Sequence, residues 1–310
     1  MAHWFYFILS ICCLCSLFGR SVQATPVIAS TPTASSGQMP TVIRLPKPRS
    51  QFDIAHPYYV GLLRLALQKA ADGRPLPKLV ASTFVDQVQG VKALTTDDLL
   101  DVYWVGTDAN KEQILRPIRI PLERGMVGFR KFIIARAKKP ALDQVKSVAD
   151  LRQLRACLGM HWPDVEIFQQ AGLPVHIVDN YEALFEQVNS GACDYFPRGL
   201  YEAKPELHIR AKTYPDLVGY QEIIVHYPFA IYFFTSKQNE ALATWIEQGL
   251  EQLISSGELT RYQQQHPFTR HVFPLTENRP KLWLELPNRA MSEQTNPRDR
   301  RYWLVPADFE

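Results

Sequence analysis

The chain has 310 residues, 46% hydrophobic and 21% charged, with a formal net charge of +3. One of those positive charges, Arg20, falls in an expected N-terminal signal, and the small remainder gives no footing for a nucleic-acid partner or an anionic membrane surface. The length suffices for two compact lobes.

In chain order, residues 4–18 form an apolar run without charge. Gly19 and Arg20 break it, and Val22-Gln23-Ala24 offers small residues where a signal peptidase reads. This predicts a cleaved secretory signal over 1–24, too short to span a bilayer comfortably. The alternative is a retained anchor, because the first residues hold His3 where Lys or Arg is usual. Residues 25–40, rich in Ser, Thr, Ala and Pro, read as a flexible leader. Of five cysteines, Cys12, Cys13 and Cys15 lie in the signal. Cys15 lacks the small preceding residue of a lipid-modified cysteine. Cys157 and Cys193 remain, and in an oxidising compartment they permit a disulfide; two buried thiols are the alternative.

A strand is expected over 41–45. A helix follows, capped by Asp53 or His56, with Pro57 in its first turn and Tyr58, Leu62, Leu63, Leu65, Ala66 and Leu67 on one face. Next come a strand over 78–83, a weaker helix over 85–94 and an apolar, parallel strand over 99–105. Strands over 129–135, 156–159, 175–178 and 193–196 alternate with helices over 148–154, 163–171 and 181–189. Gly172 and Gly191 stop the latter two helices, and Asp164 and Glu166 suit the positive end of the first. A strand over 231–235 precedes a helix from Asn239 to about Ser256, and beyond His266 the chain reads as an extended tail wrapping the surface. The alternation argues for an α/β fold with mainly parallel sheets.

The stretches at 99–107, 116–122, 151–159, 191–199 and 255–260 resemble, in order and spacing, the two-lobed type II periplasmic solute-binding proteins of family 3. Trp162-Pro163-Asp164, residues 196–199 and residues 226–229 resemble a bacterial subgroup without a well-defined ligand. The resemblance covers roughly 41–266. It implies a discontinuous first lobe (41–127 and 230–266), a second lobe (128–229), a hinge of two crossing strands and a tail (267–310). It also implies a periplasmic protein holding a small-molecule ligand in an interlobe cleft, partnered by an inner-membrane permease or a sensor protein. Two departures stand out. The carboxylate-binding Arg of the amino-acid binders has no counterpart after Thr107, where only Lys111 is near, and Lys lacks the bidentate fork. The strand end at Pro197-Arg198-Gly199 carries no acid for an amino group. A zwitterionic amino acid is therefore not the default ligand.

In α/β sheets ligands gather at the carboxyl ends of strands. That rule selects Trp104 and Thr107, His161 and Trp162, and Arg198. Arg198 is expected to clamp an anion, with a structural ion pair to Asp164 as its alternative. Trp104 and Trp162 would be walls, with Lys111 assisting. His161 and Tyr227 are weaker candidates, more often structural. The sequence has no Gly-x-Ser-x-Gly, His-Glu-x-x-His, phosphate-loop or Gly-x-Gly-x-x-Gly pattern, and His208, His226, His266 and His271 lack metal-ligand spacing. The expectation is a monomeric, non-catalytic binder of a small, anionic solute, with no cofactor or metal. An enzyme on the same fold, using His161 or Asp164, and a ligand-free envelope interaction protein are the alternatives.

Overall fold

The computed structural model describes residues 40–83, 85–96 and 99–310. The expected signal, and nearly all of the leader, lie outside them. The chain runs β1 (Val42–Pro46), α1 (His56–Lys69), β2 (Lys78–Thr83), α2 (Gln87–Thr96), β3 (Tyr103–Gly106), α3 (Ala109–Ile114) and β4 (Arg116–Ile118). It continues through β5 (Phe129–Ala135), α4 (Lys139–Leu142), α5 (Val148–Leu151), β6 (Ala156–Gly159), α6 (Pro163–Gln170) and β7 (Val175–Val178). Then follow α7 (Tyr181–Ser190), β8 (Phe196–Gly199), α8 (Ala203–Arg210) and β9 (Leu217–His226). β10 (Ile231–Thr235), α9 (Glu240–Ser255), α10 (Glu258–Gln265) and β11 (Leu282–Glu285) complete the order.

The strands divide between two lobes. In the first, β1 and β2 pair in parallel, and β10 lies between β3 and β4, antiparallel to both. This lobe thus joins strands from distant parts of the chain. In the second, the order is β11-β9-β5-β8, with β5 antiparallel to β9 and β8, and β6 pairs in parallel with β7. A core of Leu94, Tyr103, Val105, Tyr232 and Phe234 backs the β3–β10 ladder. Ile133, Cys157, Phe185, Val188 and Phe196 form another, in the second lobe.

Helix ends follow local chemistry. Pro163 opens α6, where its absent N–H is not needed. Asn180 caps α7 by accepting from the backbone N–H of Glu182 and Ala183, at 2.8 and 3.2 Å. Gly191 ends α7 with a φ of 81°, the left-handed region that glycine enters without a Cβ clash. α1 packs against α9 through Gly249 and Ala66, and the Trp245 indole donates to the Leu67 carbonyl at 3.0 Å.

Four expectations need correction. Neither Asp53 nor His56 caps α1: its N-cap is Ala55, Asp53 holds Arg49, and the His56 ring bonds the Pro46 carbonyl at 2.9 Å. The apolar strand expected at 99–105 begins at Tyr103, and its ladder partner, β10, is antiparallel. The strand expected over 193–196 starts at Phe196, with Tyr195 joined to Ala156 by a single bridge. The segment after His266 is not a surface wrap alone. Its β11 extends the second lobe's sheet in parallel with β9, and Leu284, Trp303, Leu304 and Phe309 are buried. Each of those apolar residues sits among Pro and Arg, which masks the strand in a periodicity reading.

Candidate functional site

A cleft lies between the lobes, made of three adjoining cavities of about 260, 100 and 70 Å³. Arg49, just after β1, and Gln87, at the start of α2, line all three. Trp104 lines the second, Arg198 the third, and Trp162 the first and third. Both lobes therefore contribute walls.

Trp104, on β3, stacks on Tyr59 with ring centroids 5.4 Å apart, and it also meets His56 and Phe233 edge-on. Trp162 lies over Gly159, where a Cβ would fall 2.5 Å from its ring. The Arg198 guanidinium sits 5.3 Å from the Trp162 ring, a cation–π distance. Gln87 Oε1 is buried and has no hydrogen-bond partner among the described residues. Such an orphan acceptor costs free energy unless something donates to it.

Arg198 follows the expected path into the cleft wall, yet its charge is already answered. Nε donates to Glu206 at 2.8 Å, and Nη2 donates to Glu206 and Glu202, both at 2.6 Å. Its carboxylate partners are thus Glu202 at the N-cap of α8 and Glu206 one turn into it, rather than Asp164. Burial alone would lower the Arg198 guanidinium, but Glu202 and Glu206 raise it well above its ordinary value. Asp164 instead holds Arg130 of β5, which also donates through Nε to the Tyr227 hydroxyl at 2.8 Å. Glu202 reaches toward Arg130 as well, at 3.5 Å. Two buried guanidiniums thus face three carboxylates.

The other candidates are engaged elsewhere. Thr107 is buried and donates to Glu112 at 2.7 Å. Lys111 pairs with Asp108, whose carboxylate caps α3. Tyr227 is wholly buried and donates to Asp164. His161 is exposed, with a φ of 67° at the turn between β6 and α6. The structure brings Cys157 and Cys193 together as a disulfide, with Cα atoms 5.6 Å apart. Among the described residues, no group of three or more His, Cys, Asp or Glu is placed to hold a metal ion.

Arg49, Gln87, Arg130, Glu202 and Tyr181 escaped the sequence reading. Arg49 had a usable signal, since it follows the carboxyl end of a strand, the same rule that selected Trp104. Arg49 pairs with Asp53 at 3.0 Å and lies 4.5 Å from the Tyr181 ring of the opposite lobe. Ser50 also crosses, donating to Glu182 at 2.8 Å. Behind the wall, Glu123 is fully buried, and neither carboxyl oxygen has a hydrogen-bond partner among the described residues. Burial pushes its carboxyl up to about 8; the nearby Tyr59 hydroxyl opposes this and the charge of Glu202 adds to it.

No protein-family model matches the sequence, and no curated protein sequence matches it. Solved structures do match the fold. An ancestral arginine-binding protein bound to arginine shares 14% identity at a TM-score of 0.54, covering 74% of this chain and 100% of that one. A histidine kinase sensor domain with similarity to periplasmic binding proteins shares 14% identity at 0.53, covering 73% and 96%. A periplasmic His/Glu/Gln/Arg/opine family-binding protein from Silicibacter pomeroyi, in complex with lysine, shares 11% identity at 0.51, covering 74% and 97%. With sheets flanked by helices in two lobes, and a cleft between them, this chain has the fold of the periplasmic binding proteins.

Proposed function

We propose that this chain is a non-catalytic solute-binding protein that encloses a small polar solute between its lobes. The observation that carries this reading is Gln87 Oε1, a buried acceptor with no partner among the described residues, on a residue that lines all three cleft cavities. A solute donor would satisfy it. Arg198 Nη1 is the nitrogen left to a solute acceptor once Nε and Nη2 have met Glu206 and Glu202. A carboxylate on the solute would share that guanidinium with two protein carboxylates, so the geometry gives little support to a full negative charge. Trp104 and Trp162 would be the apolar walls from opposite lobes. Thr107, Lys111 and Tyr227 would shape the site through the contacts given above, and His161 would stand at its rim.

Lobe boundaries near 127/128 and 229/230, with the hinge at the crossings between them, fit this reading. So does export by the expected signal at 1–24 to the periplasm, where the protein would act as a monomer. The partner would be a membrane permease, or a signalling protein, as the sensor-domain neighbour suggests. Neighbouring structures named for arginine or lysine support small solutes as the class.

The test is a thermal melt against amino acids, organic acids, short peptides and sugars. A ligand at a hundred times its Kd stabilises by about 2.7 kcal/mol. One compound should give a saturable rise in Tm that Gln87→Ala diminishes. No rise across the panel would overturn the reading. One observation favours a second reading, a ligand-free interaction protein: the two guanidiniums at the cleft, Arg198 and Arg130, are already paired with carboxylates of the chain itself. That reading requires a flat response to every compound.

A further inference from the structure

A cavity of about 400 Å³ lies in the second lobe and shares no lining residue with the cleft. β5, β9 and α8 form its floor, and the segment after His266 contributes His271, Glu277 and Asn278. Its volume falls in the ordinary range of small-ligand sites.

Its polar groups are unusual. Lys131 projects from a strand that otherwise reads as core, and only 5% of it is exposed. Its Nζ donates to the amide oxygens of Gln221 and Asn278, at 3.1 and 3.0 Å. No carboxylate lies within ion-pair distance of it among the described residues. An ammonium has three donors, so one remains after those two amides. His271 Nε2 is likewise buried with no partner among the described residues. Lys204, exposed at the start of α8, adds a second positive charge at the lining, against the exposed Glu277. Buried charge without a counter-ion is costly, and here burial lowers the Lys131 ammonium to about 8. An acceptor that carries negative charge answers the spare Lys131 proton, and the Nε2-protonated tautomer of neutral His271 donates to the same acceptor.

We propose that this cavity is a second binding site, separate from the cleft, for a small solute bearing an oxyanion, either carboxylate or phosphate. Lys131 Nζ and His271 Nε2 hold the oxyanion, and Lys204 attracts it. The apolar lining from Leu200, Ala203 and Leu207 limits the remainder of the molecule to a short aliphatic or planar body.

The test is calorimetric titration of the purified protein at pH 7 with sodium phosphate and with sodium butanoate, at ionic strength fixed with chloride. One of the two should bind saturably, and which one decides between phosphate and carboxylate. Lys131→Met should weaken that binding at least tenfold, Lys204→Met about threefold, and the cleft variant Gln87→Ala should leave it unchanged. Lys204 is on the surface, so its variant keeps the test decisive if Lys131→Met does not fold. Absence of binding by both anions at 10 mM overturns the proposal, as does binding indifferent to the lysine variants or lost in Gln87→Ala. The outcome is independent of whether any compound binds the cleft.

Discussion

Gly249 offers a sharp test of how the first lobe is packed. A Cβ at this position would lie 2.0 Å from the Ala66 oxygen, 2.5 Å from its carbonyl carbon and 2.9 Å from its Cα. All three obstacles are backbone of α1, which cannot swing aside. Ordinary contact lies near 3.5–4.0 Å, so Gly249→Ala forces the helices apart by roughly 1.5 Å. Overpacking of this kind costs about 3 kcal/mol at its upper range. The parting also breaks the Trp245–Leu67 hydrogen bond one turn away, worth about 1 kcal/mol. Alanine's better helix propensity returns about 1 kcal/mol. The net is a loss of about 3 kcal/mol, or a Tm lower by roughly 5 °C for a protein of this size. Gly61 is the control. There a Cβ meets the Tyr262 hydroxyl at 2.5 Å, the far end of a side chain that can rotate. Gly61→Ala loses the Tyr262–Tyr58 hydrogen bond but gains about as much from propensity, for a change of about zero. Urea unfolding followed by tryptophan fluorescence measures both. The packing argument fails if Gly249→Ala lies within 1 kcal/mol of wild type, or if Gly61→Ala costs as much.

Three further outcomes are expected. The disulfide closes a separation of 36 residues, so Cys157→Ser with Cys193→Ser should cost about 3–4 kcal/mol in urea unfolding; a cost under 1 kcal/mol would mean the bond does not constrain the chain. Asp164→Asn leaves the buried Arg130 with Glu202 as its remaining carboxylate and should cost about 3–5 kcal/mol; a neutral result would show that the pair is not held out of water. The Glu123 carboxyl is raised from 4.5 to about 8, so the folded state holds a proton that the unfolded state has released between those values. Stability from this group is therefore full below pH 4.5 and falls as pH rises to about 8. Glu123→Gln should gain on wild type across that window, and a difference that stays flat with pH would place the carboxyl in water.

Much of the fold was legible because its strands are short, apolar and bounded by Pro and Gly. The strands at 78–83, 129–135, 156–159, 175–178 and 231–235 have the bounds that the sequence suggests. The C-terminal segment was not legible. Leu282, Trp283 and Leu284 count as a strand only because β9 offers an edge for them, a long-range fact absent from local pattern. The site was legible in part. The strand-end rule found Trp104, Trp162 and Arg198, all of which line the cleft. It could not show that Glu202 and Glu206, four and eight residues on, fold back onto Arg198. Arg130 and Lys131 gave a clearer signal than was used. Two adjacent cations inside Phe129–Ala135 each need a buried partner, and they face opposite sides of the strand. One meets Asp164 at the cleft, and the other meets only amides in the separate cavity.

The most direct measurement is the indole N–H spectrum of ¹⁵N-labelled protein, recorded as each compound of the panel is added. Trp104 and Trp162 stand on opposite walls of the cleft, while Trp245 is buried between α1 and α9. Enclosure of a solute requires the Trp104 and Trp162 signals to shift together and saturate with one compound, with Trp245 unmoved. Signals that stay fixed for every compound, or a shift that spares both cleft tryptophans, would contradict binding between the lobes.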